Sequence, residues 1–184
     1  MKAIFIHIPR TGGTSLRTAL GGRVGRVVWS HGSALAIKPI VGDWEDRFKF
    51  SFVRNPWERV ASWYVYFKSL SILPLKPFKY YVLSDNFFME NKHSPEFVYI
   101  DPFTQKHYLA TPSGEILVDF IGRFENIEED FIRLCESLDF TPPTLPKLNS
   151  VGGDYRKMYT DEMVERVAQR CKWDIDTFGY KWEG

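Results

Sequence analysis

The sequence predicts an α/β fold, formed as a single domain over residues 1–184, with three layers and a central parallel sheet between helices. Three observations support this prediction. An apolar run at 3–8 leads through a glycine turn into a helix-compatible run at 15–20. A second alternating run at 48–53 leads directly into another helix pattern. A helix-sized crossover separates the two runs, so the two strands are expected to pair in parallel.

The first strand and helix rest on local patterns. Isoleucine stands at every second position of the run 3–8, at 4, 6 and 8, as expected for a strand. The glycine pair at 21–22 ends the helix that follows. The short apolar run at 26–29 predicts a further strand, and residues 34–47 show no clear periodicity.

The helix predicted after the strand at 48–53 has a strong start signal. Asn55 is a favourable N-cap residue, Pro56 is a favourable first helical residue, and Glu58 lies in the first turn. Helical spacing then predicts a buried face made of Val60, Trp63, Tyr64 and Phe67. Ser62 and Arg59 share a flank beside that face, since they are three residues apart.

The second half of the chain is less regular. An aromatic-rich helix is predicted at 78–88, a strand at 116–121, and a helix after Asn126, which with Glu129 resembles a capping box. That helix carries an apolar stripe formed by Ile127, Phe131, Leu134, Cys135 and Leu138. Thr160 is expected to cap the last helix, and residues 174–182 are expected to form a tail.

Composition narrows the possible functions. A chain of 184 residues that is 44% hydrophobic can bury one core. The formal net charge of +1 gives no support for nucleic-acid binding, so any positive site must be local. Cys135 and Cys171 fall on apolar helical stripes, which indicates buried thiols. No run is long enough for a membrane span, and a cytoplasmic location is expected.

The turn between the first strand and the first helix has the chemistry of an anion site. Gly12 and Gly13 allow the backbone to approach a ligand closely, and backbone N–H groups converge there on the helix N-terminus. Arg10 adds a full positive charge, and three residues add hydroxyl groups: Thr11, Thr14 and Ser15. We therefore interpret 8–16 as a phosphate cradle. It lacks the lysine after the second glycine that nucleoside triphosphatases require, and it lacks the dinucleotide fingerprint.

The pattern P-[KR]-T-G-G-T-S in this turn resembles the phosphosulfate-binding loop of sulfotransferases that use 3′-phosphoadenosine 5′-phosphosulfate (PAPS). The carbohydrate-type branch, which includes heparan sulfate 2-O-sulfotransferase, is the most similar. Arg54 directly follows the strand predicted at 48–53, and Ser62 lies eight residues later. The two residues resemble the pair that holds the 3′-phosphate in that family. The resemblance spans nearly the whole chain, and these two motifs are its specific part. It implies a P-loop-like phosphosulfate loop and PAPS as the sulfuryl donor, with adenosine 3′,5′-bisphosphate (PAP) as product.

The resemblance also implies a role for the long proline- and glycine-containing segment at 141–157, which in the family closes over the nucleotide. The residues of this segment expected to contact the nucleotide are Asn149, Ser150, Tyr155 and Arg156. The acceptor-binding wall is expected in the middle section, up to Tyr108.

For catalysis, Arg10 is expected to stabilise the departing phosphate, although a lysine is commoner at this position in the family. His31 is the expected general base, because it lies between the two nucleotide motifs, where the resembled branch places a histidine. Asp43 and Glu45 are alternative bases, since other branches use a carboxylate. The scheme requires no metal.

Two other function classes remain open at this point. One is a nucleotide or small-molecule kinase, which the absence of G-K-[ST] argues against. The other is a catalytically silent PAP-binding protein. The acceptor is expected to carry a hydroxyl group, on a glycan or a small molecule. The sequence leaves its identity and the oligomeric state open.

Overall fold

Three parallel strands form the sheet, in the order β1-β2-β3. They are β1 (Ala3–Phe5), β2 (Phe48–Val53) and β3 (Phe120–Arg123). The computed structural model describes residues 2–23, 31–70, 76–84, 103–148 and 153–184. The expected parallel pairing of the first two strands is confirmed, with Ala3 opposite Phe48. Because all three strands run in the same direction, their carboxyl ends lie along one edge of the sheet.

The helices in chain order are α1 (Gly13–Leu20), α2 (Ala34–Ile37), α3 (Pro56–Leu70), α4 (Phe78–Leu83), α5 (Lys106–Leu109), α6 (Ile127–Ser137), α7 (Asp161–Arg170) and α8 (Lys172–Phe178). The chain divides into two compact units. Unit 1 comprises Met1–Arg54 and Gln105–Ser150, and unit 2 comprises Asn55–Thr104 and Val151–Gly184. The expectation of a single domain stays a prediction.

Unit 1 is built around the sheet. The aromatic rings of Phe5 and Phe50 stack with their centroids 4.9 Å apart, and they pack against α1 and α6. The predicted stripe of α6 is confirmed, because Phe131 and Leu134 join this core. The opposite side of the strands is also buried, since Ile4, Ile6 and Val53 are fully buried there. Apolar burial of this kind is the main stabilising term of the unit.

Unit 2 packs α3 against α4 and α7. The predicted cap of α3 is confirmed, since Asn55 Oδ1 accepts a hydrogen bond from the Trp57 N–H at 3.1 Å. The predicted buried face is correct in part: Val60 and Trp63 are buried, whereas Tyr64 is only half-buried. Ser62, expected on the flank, is also buried. Both thiols are buried, with the Cys171 Sγ–H donating to the Phe103 carbonyl at 3.1 Å.

Several boundaries differ from the sequence prediction. The third strand begins at Phe120 rather than at Ile116, which instead forms an isolated antiparallel bridge with Ala110. Asn126 precedes α6, but its side chain makes no capping hydrogen bond. The expected tail at 174–182 begins inside α8, a helix ended by Gly179 in the left-handed conformation (φ 67°). A C-terminal glycine of this kind is the signal that could have revealed the helix.

Other expectations lie partly or wholly outside the described residues. The predicted strand at 26–29 is one, and the second part of the predicted helix at 78–88 is another. The segment at 141–157 has no helix or strand up to residue 148, and it forms a 3₁₀ turn at Tyr155–Met158. Within the part of the chain that the structure describes, no helix combines the length and apolarity that crossing a bilayer requires.

Candidate functional site

The connection between β1 and α1 has the backbone geometry expected of an anion-binding turn. Gly12, the residue before α1, adopts a left-handed conformation (φ 81°). Arg10, two residues earlier, also has a positive φ of 67°, although it carries a Cβ. Such a conformation costs about 1–3 kcal/mol and persists only where surrounding contacts enforce it. The turn therefore delivers the first N–H groups of α1, which have no partner inside the helix, to the sheet edge.

Space restricts both glycines at the start of α1, and backbone conformation also favours glycine at position 12. A Cβ added to Gly12 would lie 2.5 Å from Ile127 Cδ1, the first residue of α6. A Cβ added to Gly13 would overlap the imidazole of His7. The backbone at Gly12 and Gly13 is therefore packed closely against the side chains of His7 and Ile127, and no larger residue fits without rearrangement.

Two of the three hydroxyl groups of the turn, those of Thr11 and Ser15, have structural partners. Thr11 is fully buried, and its Oγ1 donates to the Ile8 carbonyl at 2.8 Å. Any contribution of Thr11 to anion binding would therefore come from its backbone N–H. Ser15 Oγ accepts a hydrogen bond from the Leu148 N–H at 3.2 Å. This bond places Leu148, in the 141–157 segment, beside the first turn of α1. Thr14 is half-buried in the same turn.

Arg54 follows β2 and reaches the turn from the neighbouring strand. Its Nη1 donates to the Arg10 carbonyl at 3.0 Å, and its guanidinium lies 3.9 Å from the centroid of the Phe124 ring. Phe124 follows β3, so consecutive strands of the sheet bring these groups to one edge. The side chain of Arg54 is buried, and stacking of a cation on a ring is strongest where water is excluded.

His31 lies in the same unit as the turn, half-buried and with a positive φ of 73°. Its ring contacts that of His7, with the centroids 4.8 Å apart. The pKa of His7 is lowered from 6.5 to about 3, mainly by burial and then by the neighbouring His31 and Arg17. His7 is therefore neutral at physiological pH, and its Nδ1 has no hydrogen-bond partner among the described residues. The expected role of His31 as the base stays a prediction.

The two alternative bases are engaged in ion pairs. Asp43 accepts two hydrogen bonds from Arg47, at 2.6 and 3.0 Å, and this hydrogen bonding keeps the pKa of the carboxyl below its ordinary value. Glu45 pairs with Lys38 at 2.9 Å, and hydrogen bonding to that ammonium group likewise lowers its pKa. A lower pKa makes a carboxylate a weaker proton acceptor, so neither environment is tuned for general-base chemistry.

Three predicted nucleotide contacts belong to unit 2. Ser62 is buried on α3. Tyr155 is half-buried in the 3₁₀ turn, and burial raises the pKa of its hydroxyl. The Arg156 guanidinium lies 5.5 Å from the Tyr155 ring and pairs with Asp154 at 3.5 Å. Asn149 and Ser150 lie outside the described residues.

The structure adds two residues that the sequence prediction did not assign to the site. Phe124 packs against Arg54 and faces Gly12. The Gln105 side chain bonds to the backbone of Arg54 from 51 positions away in the chain. No local pattern indicates such a contact, because it depends on how distant segments pack. Among the described residues, no group of three or more His, Cys, Asp or Glu side chains is arranged to hold a metal ion.

Comparison with known proteins finds similarity to a protein from an archaeon. An uncharacterized protein of Archaeoglobus fulgidus is 32% identical over 110 residues, which cover 59% of this chain and 82% of the archaeal protein. No protein-family model matches the chain, and no solved structure matches it.

Proposed function

We propose that this chain, which belongs to the same family as the uncharacterized Archaeoglobus fulgidus protein, transfers a sulfuryl group from PAPS to a hydroxyl acceptor. The observation that carries the proposal is the turn between β1 and α1, where Arg10 and two space-restricted glycines meet the buried Arg54. A turn that begins a helix and has no room for a Cβ at two positions without rearrangement is suited to an anionic group. The order of the two sequence motifs favours PAPS as the source of that anion.

PAPS would supply an activated sulfuryl group on its 5′-phosphate. As the bond between sulfur and the bridging oxygen breaks, negative charge grows on the phosphate that leaves. We expect Arg10 and the N–H groups at the start of α1 to stabilise this charge, since preorganised donors of this kind contribute strongly to rate. The acceptor oxygen forms the new bond to sulfur in line with the one that breaks.

The acceptor hydroxyl must also lose its proton. We assign this step to the neutral imidazole of His31, which lies in the unit that holds the turn. Its neighbour His7 is kept neutral by burial, so the pair does not carry two positive charges at physiological pH. The roles of Ser62, Asn149, Ser150, Tyr155 and Arg156 at the nucleotide rest on the family resemblance. A glycan or small-molecule acceptor and a cytoplasmic location are likewise predictions.

The test is transfer of radioactive sulfate from [³⁵S]PAPS to a panel of glycans, lipids, small alcohols and tyrosine peptides. The wild-type protein should label at least one acceptor class, and His31→Ala should lower turnover by about 10²–10⁴-fold while keeping its affinity for PAP. The wild-type rate should fall on acidification, because only neutral imidazole accepts a proton.

Arg10→Ala should lower turnover by roughly 10²-fold or more, and Arg10→Lys, which keeps the charge, should stay active. PAP binding without transfer to any acceptor would favour the silent binder over the enzyme. Unchanged turnover in His31→Ala would assign the base to another residue.

A further inference from the structure

The backbone of Arg54 is held by a side chain from a distant segment. Gln105 is fully buried, and its Oε1 accepts a hydrogen bond from the Arg54 N–H at 2.9 Å. Its Nε2 donates to the Arg54 carbonyl, also at 2.9 Å. A side-chain amide that satisfies both backbone groups of one residue acts as a local substitute for a neighbouring strand. The two hydrogen bonds therefore restrain the backbone of Arg54 directly after β2.

The side chain of Arg54 carries this restraint to the phosphate turn. Its Nη1 donates to the Arg10 carbonyl at 3.0 Å, and its guanidinium plane lies against the Phe124 ring. The same ring faces Gly12, because a Cβ added there would lie 3.2 Å from Phe124 Cδ2. Arg54 and Phe124 therefore contact the turn at two positions, two residues apart.

The contact with Arg10 controls the direction of a backbone donor. The peptide unit is planar, so the Arg10 carbonyl and the Thr11 N–H point to opposite sides of the chain. When Arg54 binds that carbonyl, it also orients the Thr11 N–H. Arg10 is left-handed, at φ 67°, and residues other than glycine stay in this region only where surrounding contacts hold them there.

We propose that Gln105 is a positioning residue, which acts through Arg54 to hold residues 10–13 in their anion-binding conformation. The identity of the anion as a 5′-phosphosulfate rests on the proposed function. A guanidinium has five N–H donors, so the bond to Arg10 does not exclude contact with a 3′-phosphate. The consequence is that affinity for a nucleotide without a 3′-phosphate also depends on Arg54 and Gln105.

The first test needs no ligand. Gln105→Met keeps the approximate size of the side chain and removes both hydrogen bonds to Arg54. Backbone NMR order parameters of residues 10–13 should fall from about 0.85, typical of rigid backbone, toward about 0.6. Gln169→Met is the control, because Gln169 is exposed and bonds only locally to Glu165 in the described structure. Unchanged order parameters in Gln105→Met would overturn the proposal.

The second test uses Arg54→Lys, which keeps the positive charge but removes the planar group that donates to Arg10 and stacks on Phe124. Calorimetry should show the affinity for AMP, which has only a 5′-phosphate, lowered by about 10-fold, and the affinity for PAP lowered by at least as much. If only the PAP affinity fell, Arg54 would act on the 3′-phosphate alone and the positioning role would be wrong. A wild-type protein that binds neither nucleotide would refute the proposed function, while the NMR comparison would still decide the role of Gln105. If Gln105→Met does not fold, the order parameters of residues 10–13 are measured in Arg54→Lys instead. Unchanged order parameters in that variant would overturn the positioning role.

Discussion

At the scale of single residues, the buried imidazole of His7 couples the stability of the fold to pH. Its pKa is lowered from 6.5 to about 3, first by burial and then by His31 and Arg17. As the pH falls below 6.5, the unfolded chain takes up a proton that the folded chain does not. The folded state therefore loses stability down to about pH 3, below which both states are protonated and the dependence ends.

The resulting prediction concerns His7→Asn, which removes the titrating group. The wild-type free energy of unfolding should contain a contribution that falls by on the order of 4 kcal/mol between pH 6.5 and pH 3. The variant should lack this contribution, so its stability should decline less steeply with acid. Urea unfolding followed by circular dichroism at a series of pH values measures the difference in slope. His107→Asn, at an exposed position, should retain the wild-type slope; equal slopes for all three proteins would contradict the assignment.

At the scale of elements, Asn55 and Asn126 each precede a helix, but only the side chain of Asn55 makes a capping hydrogen bond. Asn55 Oδ1 accepts a hydrogen bond from the Trp57 N–H, and Asn55 Nδ2 donates to the Lys181 carbonyl at 3.2 Å. Asn126, in the same position before α6, is exposed and makes no such bond. The difference arises from backbone conformation and surroundings, because both residues have the same side chain.

Replacement of each asparagine by alanine therefore forms a matched pair. Asn55→Ala should lower the free energy of unfolding by about 1–2 kcal/mol, because it removes the cap of α3 and a second buried hydrogen bond. Asn126→Ala should change it by less than about 0.5 kcal/mol. Denaturant unfolding of the two variants beside the wild type measures both values. A loss for Asn126→Ala as large as that for Asn55→Ala would show that α6 depends on a cap that the structure lacks.

At the scale of the whole molecule, ligand binding should appear as thermal stabilisation. A ligand that binds only the folded state, at 100 times its dissociation constant, adds about 2.7 kcal/mol to the free energy of unfolding. PAP should therefore raise the melting temperature more than ADP or ATP at equal concentration, since each charge-assisted contact to a 3′-phosphate is worth about 1.5–3 kcal/mol. Differential scanning fluorimetry with and without magnesium makes the comparison. Equal stabilisation by ATP with magnesium would favour a kinase over a sulfotransferase.

Much of unit 1 could be predicted from sequence because its signals are local. The period-2 pattern at 48–53 identified β2, and helical spacing identified the buried stripe of α6. The third strand was predicted to begin four residues too early, because the apolar residues Ile116 and Leu117 pair with the segment at 109–110 instead of with β2. Hydrophobic patterns report burial, and pairing depends on which backbone groups meet across the sheet.

In the candidate site, too, local features could be predicted from the sequence, whereas contacts between distant segments could not. The sequence by itself determined that a glycine turn with a basic residue joins a strand to a helix N-terminus, since glycine, arginine and helix caps act within a few residues. Only the tertiary structure decided that His7 is neutral and that the Arg54 guanidinium bonds to the Arg10 carbonyl. The Gln105 amide meets Arg54 across 51 residues of chain. Such a contact has no local signature, because its stability comes from burial and from hydrogen bonds that exist only after the strands have paired.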